Sequence, residues 1–324
     1  MISIIFPVYN VSKYIEASLL SCLEQTYRDL EIIAINDGST DESLNILQDY
    51  ASRDHRIKII TQRNQGVAKA RMVGLENSLG DFVCFVDSDD IIPKESISLL
   101  YEKIRVNDVD IVIGNYCECF ENDYKRTYEL PRNGVIGNGE YVDLILSEKV
   151  QWGVCGKLYK RELFDNAKLV SFKLGEDAAL LMQAIANASK IEFTNQCVYH
   201  YLQRIDSAVH LKSANYLSDI YRFRVWVADF LSTCNEVCYK KELVDIFLVR
   251  GYVKCIFFGG RRYLSSQDYT DVQKRYLFAE KQLYSWERII YVTSSFSFVN
   301  RLVVLIFQTI RKLKFLYLRN KNDL

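Results

Sequence analysis

The sequence has no excess of charge of either sign, because Lys and Arg together number 41 and so do Asp and Glu. A broad surface for nucleic acid usually carries a net positive field, so this balance argues against nucleic acid as a partner. Apolar residues are not scarce, since 49% of the chain is hydrophobic and 13% is aromatic. We therefore expect a folded protein of 324 residues whose electrostatic specialisation is local.

Histidine is scarce, with three residues, and the nine cysteines contain no C-x-x-C pair. A zinc site of the finger type needs Cys and His in paired spacing, so none is predicted. An odd number of scattered cysteines is typical of a reducing compartment. We expect buried structural thiols in a cytoplasmic protein.

Long apolar runs are also missing, since no stretch reaches the roughly 18–20 apolar residues that a membrane-spanning helix requires. Residues 1–7 have no basic region ahead of their apolar run, which argues against a signal peptide and predicts a chain that stays inside the cell. Residues 289–318 are apolar but interrupted by basic side chains. This pattern favours a helix that lies on the inner face of the plasma membrane, and an ordinary core-facing helix is the alternative. The basic residues are Arg301, Arg311, Lys312 and Lys314.

What the sequence does have is a regular alternation of strand-like and helix-like segments in its first hundred residues. This alternation is typical of β-α-β units that form a mostly parallel sheet with helices on both faces. A further strand is predicted at 109–116, and the turn-rich residues 121–139 are predicted to form a loop over the ligand crevice. The first four strands are predicted at 2–6, 31–36, 56–60 and 81–86.

Polar residues follow three of these strands at the point where each strand ends. Open α/β sheets bind ligands beyond the carboxyl ends of their strands, so we expect these residues to line one crevice. They are Tyr9-Asn10, Asn36-Asp37-Gly38-Ser39 and Asp87-Ser88-Asp89-Asp90.

The acidic run Asp87-Ser88-Asp89-Asp90 is the strongest local signal. Carboxylates crowded at the end of an apolar strand repel one another unless a cation compensates. Sparse oxygen ligation of this kind suits Mn²⁺ or Mg²⁺ bridging a diphosphate. A helix N-terminus enriched in Asp is the alternative.

A second set of residues suits the base of a nucleotide. Tyr9 offers an aromatic face, Asp37 a carboxylate acceptor and Arg71 a cation, which together match a uracil ring and its imide N–H. Each residue taken singly has a structural alternative, because Asn, Asp, Gly and Ser are common in turns and N-caps.

Over residues 1–210 the ordered series of motifs resembles the family 2 glycosyltransferases of the GT-A fold, of the bacterial capsular and exopolysaccharide-assembly type. Each motif is weak alone, and the order makes the resemblance specific. The motifs are Pro7-Val8-Tyr9-Asn10, Asn36-Asp37-Gly38-Ser39-Thr40-Asp41, Asn64-Gln65-Gly66-Val67-Ala68 with Arg71 and Gly74, Gly80-Asp81 leading to Asp87-Ser88-Asp89-Asp90, Lys157-Leu158-Tyr159-Lys160-Arg161, Gly175-Glu176-Asp177, and Tyr199-His200-Tyr201 with Arg204 and Ser207.

The resemblance implies a role for several residues. Asp177 would be the catalytic general base, Asp87 would contact the ribose or metal, and Asp89 would ligate the metal. His200 would either complete the metal shell or pack between two tyrosines, and Trp152 would stack on an acceptor sugar or fill the core. Glu176 and Arg204 are predicted on the acceptor and phosphate side. The predicted donor-binding residues are Pro7, Tyr9, Asn10, Asp37, Arg71, Asp87 and Ser88.

A change to a nearly all-helical pattern predicts a domain boundary near Leu211, which is also where the resemblance ends. Residues 1–210 would form the GT-A catalytic domain, with nucleotide-sugar binding in about 1–115 and the acceptor side in about 116–210. Residues 211–324 are nearly all helical in pattern and would form a C-terminal region that ends in the basic amphipathic segment. Met72, Gly153 and Val154 depart from the family's usual residues and bear on acceptor specificity.

The implied activity is a metal-dependent, inverting transfer of a sugar from a nucleotide-diphosphate donor, with UDP-sugar as the expected donor. One carboxylate base without a carboxylate nucleophile gives direct displacement and inversion. The expected acceptor is a hydroxyl of a glycan or lipid-linked oligosaccharide in cell-surface polysaccharide synthesis. A sugar-1-phosphate nucleotidyltransferase is an alternative, but it should carry a Gly-rich basic loop after its first strand. A non-catalytic scaffold at the membrane is another alternative. Such a protein is expected to have lost the acidic site residues, whereas Asp87, Asp89 and Asp177 are all present.

Overall fold

The computed structural model describes residues 1–120, 125–170, 172, 174–203, 214–294 and 304. In this part of the chain nine strands form one sheet in the order β3-β2-β1-β4-β8-β5-β9-β7, and β6 pairs with β5 outside that path. The strands are β1 (Ile2–Val8), β2 (Leu30–Asn36), β3 (Ile57–Thr61), β4 (Phe82–Phe85), β5 (Ile111–Phe120), β6 (Lys125–Tyr128), β7 (Gly134–Gly137), β8 (Lys157–Lys160) and β9 (Lys190–Gln203).

Ten α-helices lie in the described residues. Six accompany the sheet and four follow it in the chain. They are α1 (Ile15–Leu23), α2 (Ser43–Ala51), α3 (Val67–Glu76), α4 (Ser96–Val106), α5 (Asn138–Leu146), α6 (Glu176–Asn187), α7 (Ala214–Thr233), α8 (Lys241–Phe257), α9 (Ser266–Ala279) and α10 (Ser285–Thr293).

The first four strands are parallel, as their separation by helices predicts. Strand β8 runs antiparallel to β4 and β5, and β5 is parallel to β9. The predicted mostly parallel α/β sheet is therefore confirmed. The prediction of a loop over 121–139 is wrong in part, because β6 and β7 lie within it. Pairing with β5 and β9 stabilises these short strands where the local pattern alone is weak.

Both faces of the sheet are buried under helices. Ile4 and Ile5 are neighbours in β1 and both are fully buried, yet they belong to two different hydrophobic clusters. Successive side chains of a strand point to opposite faces, so this requires cover on both sides. Helix α3 approaches especially closely at Gly74, where an added Cβ would lie 2.5 Å from Cγ2 of Ile5.

The last four described helices do not form an isolated unit. Phe223 and Val227 of α7 and Phe247 of α8 belong to the hydrophobic cluster that contains α5 and α6. A further cluster joins α8 to α9 and α10. The predicted domain boundary near residue 211 lies outside the described residues. No described helix combines the length and apolarity needed to cross a membrane.

Candidate active site

Residues 87–90, just beyond the end of β4, divide into a partly exposed pair and a buried pair. Asp87 and Asp89 are partly exposed, whereas Ser88 and Asp90 are buried. Asp90 accepts hydrogen bonds from the Tyr199 hydroxyl (2.7 Å) and the Leu202 amide (2.8 Å). Burial, reinforced by the charges of Asp87 and Asp89, raises the pKa of Asp90 to about 8. Asp90 therefore anchors the turn to β9, and only Asp87 and Asp89 are presented as candidate metal ligands.

Arg71 links this turn to the start of α6. Its Nη2 donates to Oδ1 of Asp87 at 2.8 Å, and its Nη1 lies 3.5 Å from Oε1 of Glu176. Burial opposes the charge of the guanidinium, but Asp87, Glu176 and other neighbouring acids raise the pKa of Arg71 well above its ordinary value. Arg71 is predicted beside the nucleotide base, and in the structure its guanidinium contacts these two carboxylates.

Asp37 organises the loop between β3 and α3. Its Oδ1 accepts from Gln62 Nε2 (2.7 Å) and the Gln65 amide (2.9 Å), and its Oδ2 accepts from the Gly66 amide (2.8 Å). A carboxylate accepts about four hydrogen bonds, so these three leave roughly one place for the imide N–H of a base.

The remaining predicted donor residues lie at the end of β1. Pro7 is in the strand, and the Tyr9 side chain just beyond it is 48% exposed, as an aromatic surface for a base requires. Asn10 adopts a positive φ of 51°, and its Oδ1 accepts from the Thr40 amide at 2.8 Å. The ends of β1 and β2 are thereby tied together.

Asp177 stands in the first turn of α6. Its Oδ1 accepts from the Ala178 amide at 2.7 Å, and its Oδ2 lies 3.3 Å from where a Cβ on Gly153 would be. Burial raises the pKa of Asp177 although the charges of Arg71 and Lys157 act in the opposite direction. Burial, with the charge of Asp177, raises the pKa of Glu176 to about 7. An elevated pKa suits a base that must take up a proton near neutral pH.

Lys157 is a site residue to which the sequence assigned no role. It is buried in β8, and its ammonium donates to the carbonyl oxygens of Gly153 and Cys155. Burial lowers the pKa of Lys157 to about 8, against the opposing effect of Cys155 and Asp177. The sequence signal that could have identified Lys157 as a site residue is its position in the Lys157-Leu158-Tyr159 motif.

His200 forms a backbone bridge with the residue after the acidic turn. The His200 amide donates to the Ile91 carbonyl at 2.8 Å, and the Ile91 amide donates back at 3.1 Å. Burial and the nearby charge of Lys125 lower the pKa of His200. Within the described residues no three His, Cys, Asp or Glu side chains converge as metal ligands. The alternative in which His200 completes a metal shell with Asp87 and Asp89 is therefore not supported by a preformed cluster in the described residues.

Asp87 and Asp89 nevertheless suit a divalent cation of the Mg²⁺ or Mn²⁺ type. Such ions in phosphate-transfer sites take one or two protein carboxylates, with phosphate and water oxygens completing the shell. The two side chains are partly exposed, and their charges raise the pKa of Asp90. A cation at this place would offset that repulsion.

Trp152 lies between the sheet and the C-terminal helices. Its ring centroid is 5.0 Å from that of Phe223 and 5.3 Å from that of Phe247, and the Arg224 guanidinium carbon lies 4.7 Å from it. The contacts favour the core alternative over acceptor stacking. Arg204 lies outside the described residues.

Comparison with known proteins agrees with this architecture. The family model described as "Glycosyl transferase family 2" matches residues 3–167, about half of the chain. The chain therefore belongs to the family 2 glycosyltransferases. It is 36% identical over 212 residues to "Glycosyltransferase GlyA" of Streptococcus pneumoniae serotype 4, a match that covers 62% of this chain and 30% of GlyA. The chain thus spans under a third of that relative.

Two solved structures share the fold. Residues 1–349 of TarS from S. aureus, solved in complex with UDP-GlcNAc, align with a TM-score of 0.70 at 20% identity, covering 95% of this chain and 91% of that one. The mannosyltransferase PcManGT from Pyrobaculum calidifontis, in complex with GDP-Man and Mn²⁺, aligns with a TM-score of 0.52 at 15% identity, covering 94% and 86%. At these identities the likeness shows the GT-A fold alone.

Proposed function

We propose that this chain is a metal-dependent, inverting glycosyltransferase that moves a sugar from a UDP-sugar to a hydroxyl of a glycan or lipid-linked oligosaccharide. One observation carries the proposal. Arg71 joins Asp87 at the end of β4 to Glu176 at the start of α6, so a candidate metal ligand and the candidate base Asp177 meet at one place. A transferase needs a cation at the departing diphosphate and a base at the attacking hydroxyl, and both groups flank the same sugar carbon.

The donor side consists of Asp87 and Asp89 beyond the carboxyl end of β4, with Tyr9 and Asp37 beyond β1 and β2. Ligands of open α/β sheets bind at such strand ends. The UDP-GlcNAc and GDP-Man complexes of TarS and PcManGT, the latter with Mn²⁺, support a nucleotide-sugar and a metal at a GT-A site. When bound, a divalent cation supplies fixed positive charge opposite the diphosphate, which gains negative charge as the sugar departs.

The acceptor side consists of Asp177, whose role is to accept the proton of the attacking hydroxyl. The neighbouring carboxylate Glu176 is partly buried and faces Arg71, and we assign it no role as a nucleophile. With one base and no carboxylate nucleophile, the hydroxyl attacks the sugar carbon directly and its configuration inverts.

We further propose that the protein works in cell-surface polysaccharide synthesis as a peripheral protein on the inner face of the plasma membrane. Apolar side chains on α9 and α10 support this, because Leu277, Phe278, Ile289 and Val292 are exposed. Most of the basic amphipathic segment predicted at 289–318 lies outside the described residues. Flotation of the full chain with anionic and with neutral vesicles tests the proposal, which requires binding that is stronger to the anionic ones.

The decisive experiment uses a panel of UDP- and GDP-sugars with Mn²⁺ and follows hydrolysis of the donor, in which water replaces the acceptor. We expect hydrolysis of one UDP-sugar that is lost on chelation of the metal. Asp89→Asn is the matched control, because it removes one charge at the metal turn and keeps the side-chain shape. If the chain neither hydrolyses nor binds any donor in a metal-dependent way, the proposed activity is wrong and the non-catalytic scaffold remains as the alternative. Release of diphosphate from a nucleoside triphosphate and a sugar 1-phosphate would instead indicate the nucleotidyltransferase.

A further inference from the structure

Phe223 of α7 lies directly against the residue that precedes the candidate base segment. An added Cβ on Gly175 would lie 2.6 Å from Cγ of Phe223. Gly175 also has a φ of 96°, a conformation that L side chains rarely adopt. Both observations explain glycine here, and they show that the Phe223 ring defines where the chain enters α6 with Glu176 and Asp177.

The same ring also supports the segment on the other side of Asp177. Phe223 packs on Trp152 with ring centroids 5.0 Å apart. The next residue, Gly153, faces Oδ2 of Asp177, since an added Cβ there would lie 3.3 Å from that oxygen. One side chain of α7 therefore touches both segments that flank the Asp177 carboxylate.

The position of Phe223 is itself fixed by buried neighbours. The next residue, Arg224, lies over the Trp152 ring and is paired with Glu148 at 2.9 Å. Helix α8 makes room for it at Gly251, where a Cβ would overlap Cδ of Arg224. Glycine weakens a helix interior, so its presence in the middle of α8 is explained by the space that Arg224 occupies.

We propose that Phe223 is a positioning residue for the general base, so that the helices after residue 214 hold the Asp177 carboxylate in place for the transfer reaction. This inference rests on the proposed role of Asp177. The physical reason is that a catalytic group must be held to within a fraction of an ångström of its working position. A misplacement of about 1 Å can lower the rate about a hundredfold without loss of substrate binding.

The test compares Phe223→Leu with Phe257→Leu in the full chain. Phe257 is a matched control, because it is also a buried aromatic residue of this helical region but packs on Phe258 and Trp286. The probe is metal-dependent hydrolysis of whichever UDP-sugar the wild-type chain accepts. We expect Phe223→Leu to lower kcat at least tenfold with KM and the Kd for UDP within about twofold. Phe257→Leu should keep kcat within about twofold, although both variants should melt at a lower temperature.

A second measurement does not depend on activity. Hydrogen exchange at the amides of residues 174–180 should accelerate in Phe223→Leu and stay unchanged in Phe257→Leu. If Phe223→Leu does not fold, Phe223→Met replaces it with the same expectation, since methionine adapts to irregular space.

Equal kcat values for Phe223→Leu and wild type, or an equal fall of kcat in both variants, would overturn the inference. A wild-type chain that neither hydrolyses any donor nor binds one in a metal-dependent way would refute the proposed function instead. In that case the exchange measurement alone decides whether Phe223 holds this segment, so the two failures remain distinguishable.

Discussion

Nη2 of Arg71 lies 2.8 Å from Oδ1 of Asp87, and this contact is made by a guanidinium that is almost entirely buried. Its other terminal nitrogen faces Glu176. Removing a buried partner leaves the opposite charge without compensation, which destabilises a protein far more than loss of an exposed pair does.

We therefore expect Arg71→Met to lower the free energy of unfolding by about 3–5 kcal/mol, as measured by urea denaturation. Arg132→Met is the control, because Arg132 pairs with Glu140 at the surface, where both side chains are about half exposed. Arg132→Met should lower the free energy of unfolding by less than about 1 kcal/mol. Similar losses in the two variants would show that the Arg71 contacts do not stabilise the fold.

The role of Asp177 is tested by Asp177→Asn. The amide keeps the shape of the side chain but cannot accept the proton, so the transfer rate should fall about 10²–10⁴-fold. Affinity for UDP with Mn²⁺, measured by calorimetry, should not change. Near-normal transfer by the variant would assign the base to another residue.

The dependence of the rate on pH follows from the charges that face Asp177. Burial raises its pKa, so kcat/KM should rise with pH through a midpoint above the ordinary Asp value of about 4. Arg71 and Lys157 lower that pKa, while Asp87 raises it. Lys157 is itself charged below its pKa of about 8, so Lys157→Met should move the midpoint upward.

Lys160→Met is the control for this shift. Lys160 is in the same strand, but it pairs with Asp110 at 2.9 Å and is not among the main causes of the shifted Asp177 pKa. Its removal should leave the midpoint unchanged. An unchanged or lower midpoint in Lys157→Met would contradict the prediction.

The acidic turn should give opposite results at two neighbouring positions. Asp89→Asn should weaken Mn²⁺-dependent binding of UDP at least tenfold and lower the melting temperature less than Asp90→Ala does. Asp90→Ala should mainly lower stability and leave UDP binding nearly unchanged, because it leaves the Leu202 amide and Tyr199 hydroxyl without their acceptor. We expect a loss of stability of about 2–4 kcal/mol, since each unpaired buried donor costs about 1–3 kcal/mol. Loss of UDP binding in Asp90→Ala but not in Asp89→Asn would reverse the assignment.

The close approach of α3 to the sheet can be tested at Gly74. A Cβ there would meet Ile5 at 2.5 Å, so Gly74→Ala should destabilise the protein by about 1–3 kcal/mol despite alanine's higher helix propensity. Gly137→Ala is the control, because nothing lies within 4 Å of an added Cβ and its φ is −80°. That change should stay within about 0.5 kcal/mol. Thermal denaturation of both variants tests the prediction, and equal stability of the two would contradict it.

The amino-acid sequence alone determined the alternation of strands and helices, because hydrophobic periodicity is a local property that survives in any tertiary setting. It also determined that polar residues such as Asp87 and Asp89 follow the strand ends, since the strand boundaries were marked by the residues themselves. The ordered motifs identified the family. The short strands β6 and β7 were missed, because their stability comes from pairing with β5 and β9 rather than from their own pattern.

Only the tertiary structure decided which of these polar residues act together. It separated Asp90 from Asp87 and Asp89, turned Arg71 toward Glu176, and placed Lys157 beneath the loop that faces Asp177. It also brought Phe223 against Gly175, two residues that are far apart in the chain. Such contacts depend on how elements that are distant in the chain pack together. A local sequence pattern does not specify which distant residue a buried charge or ring will contact.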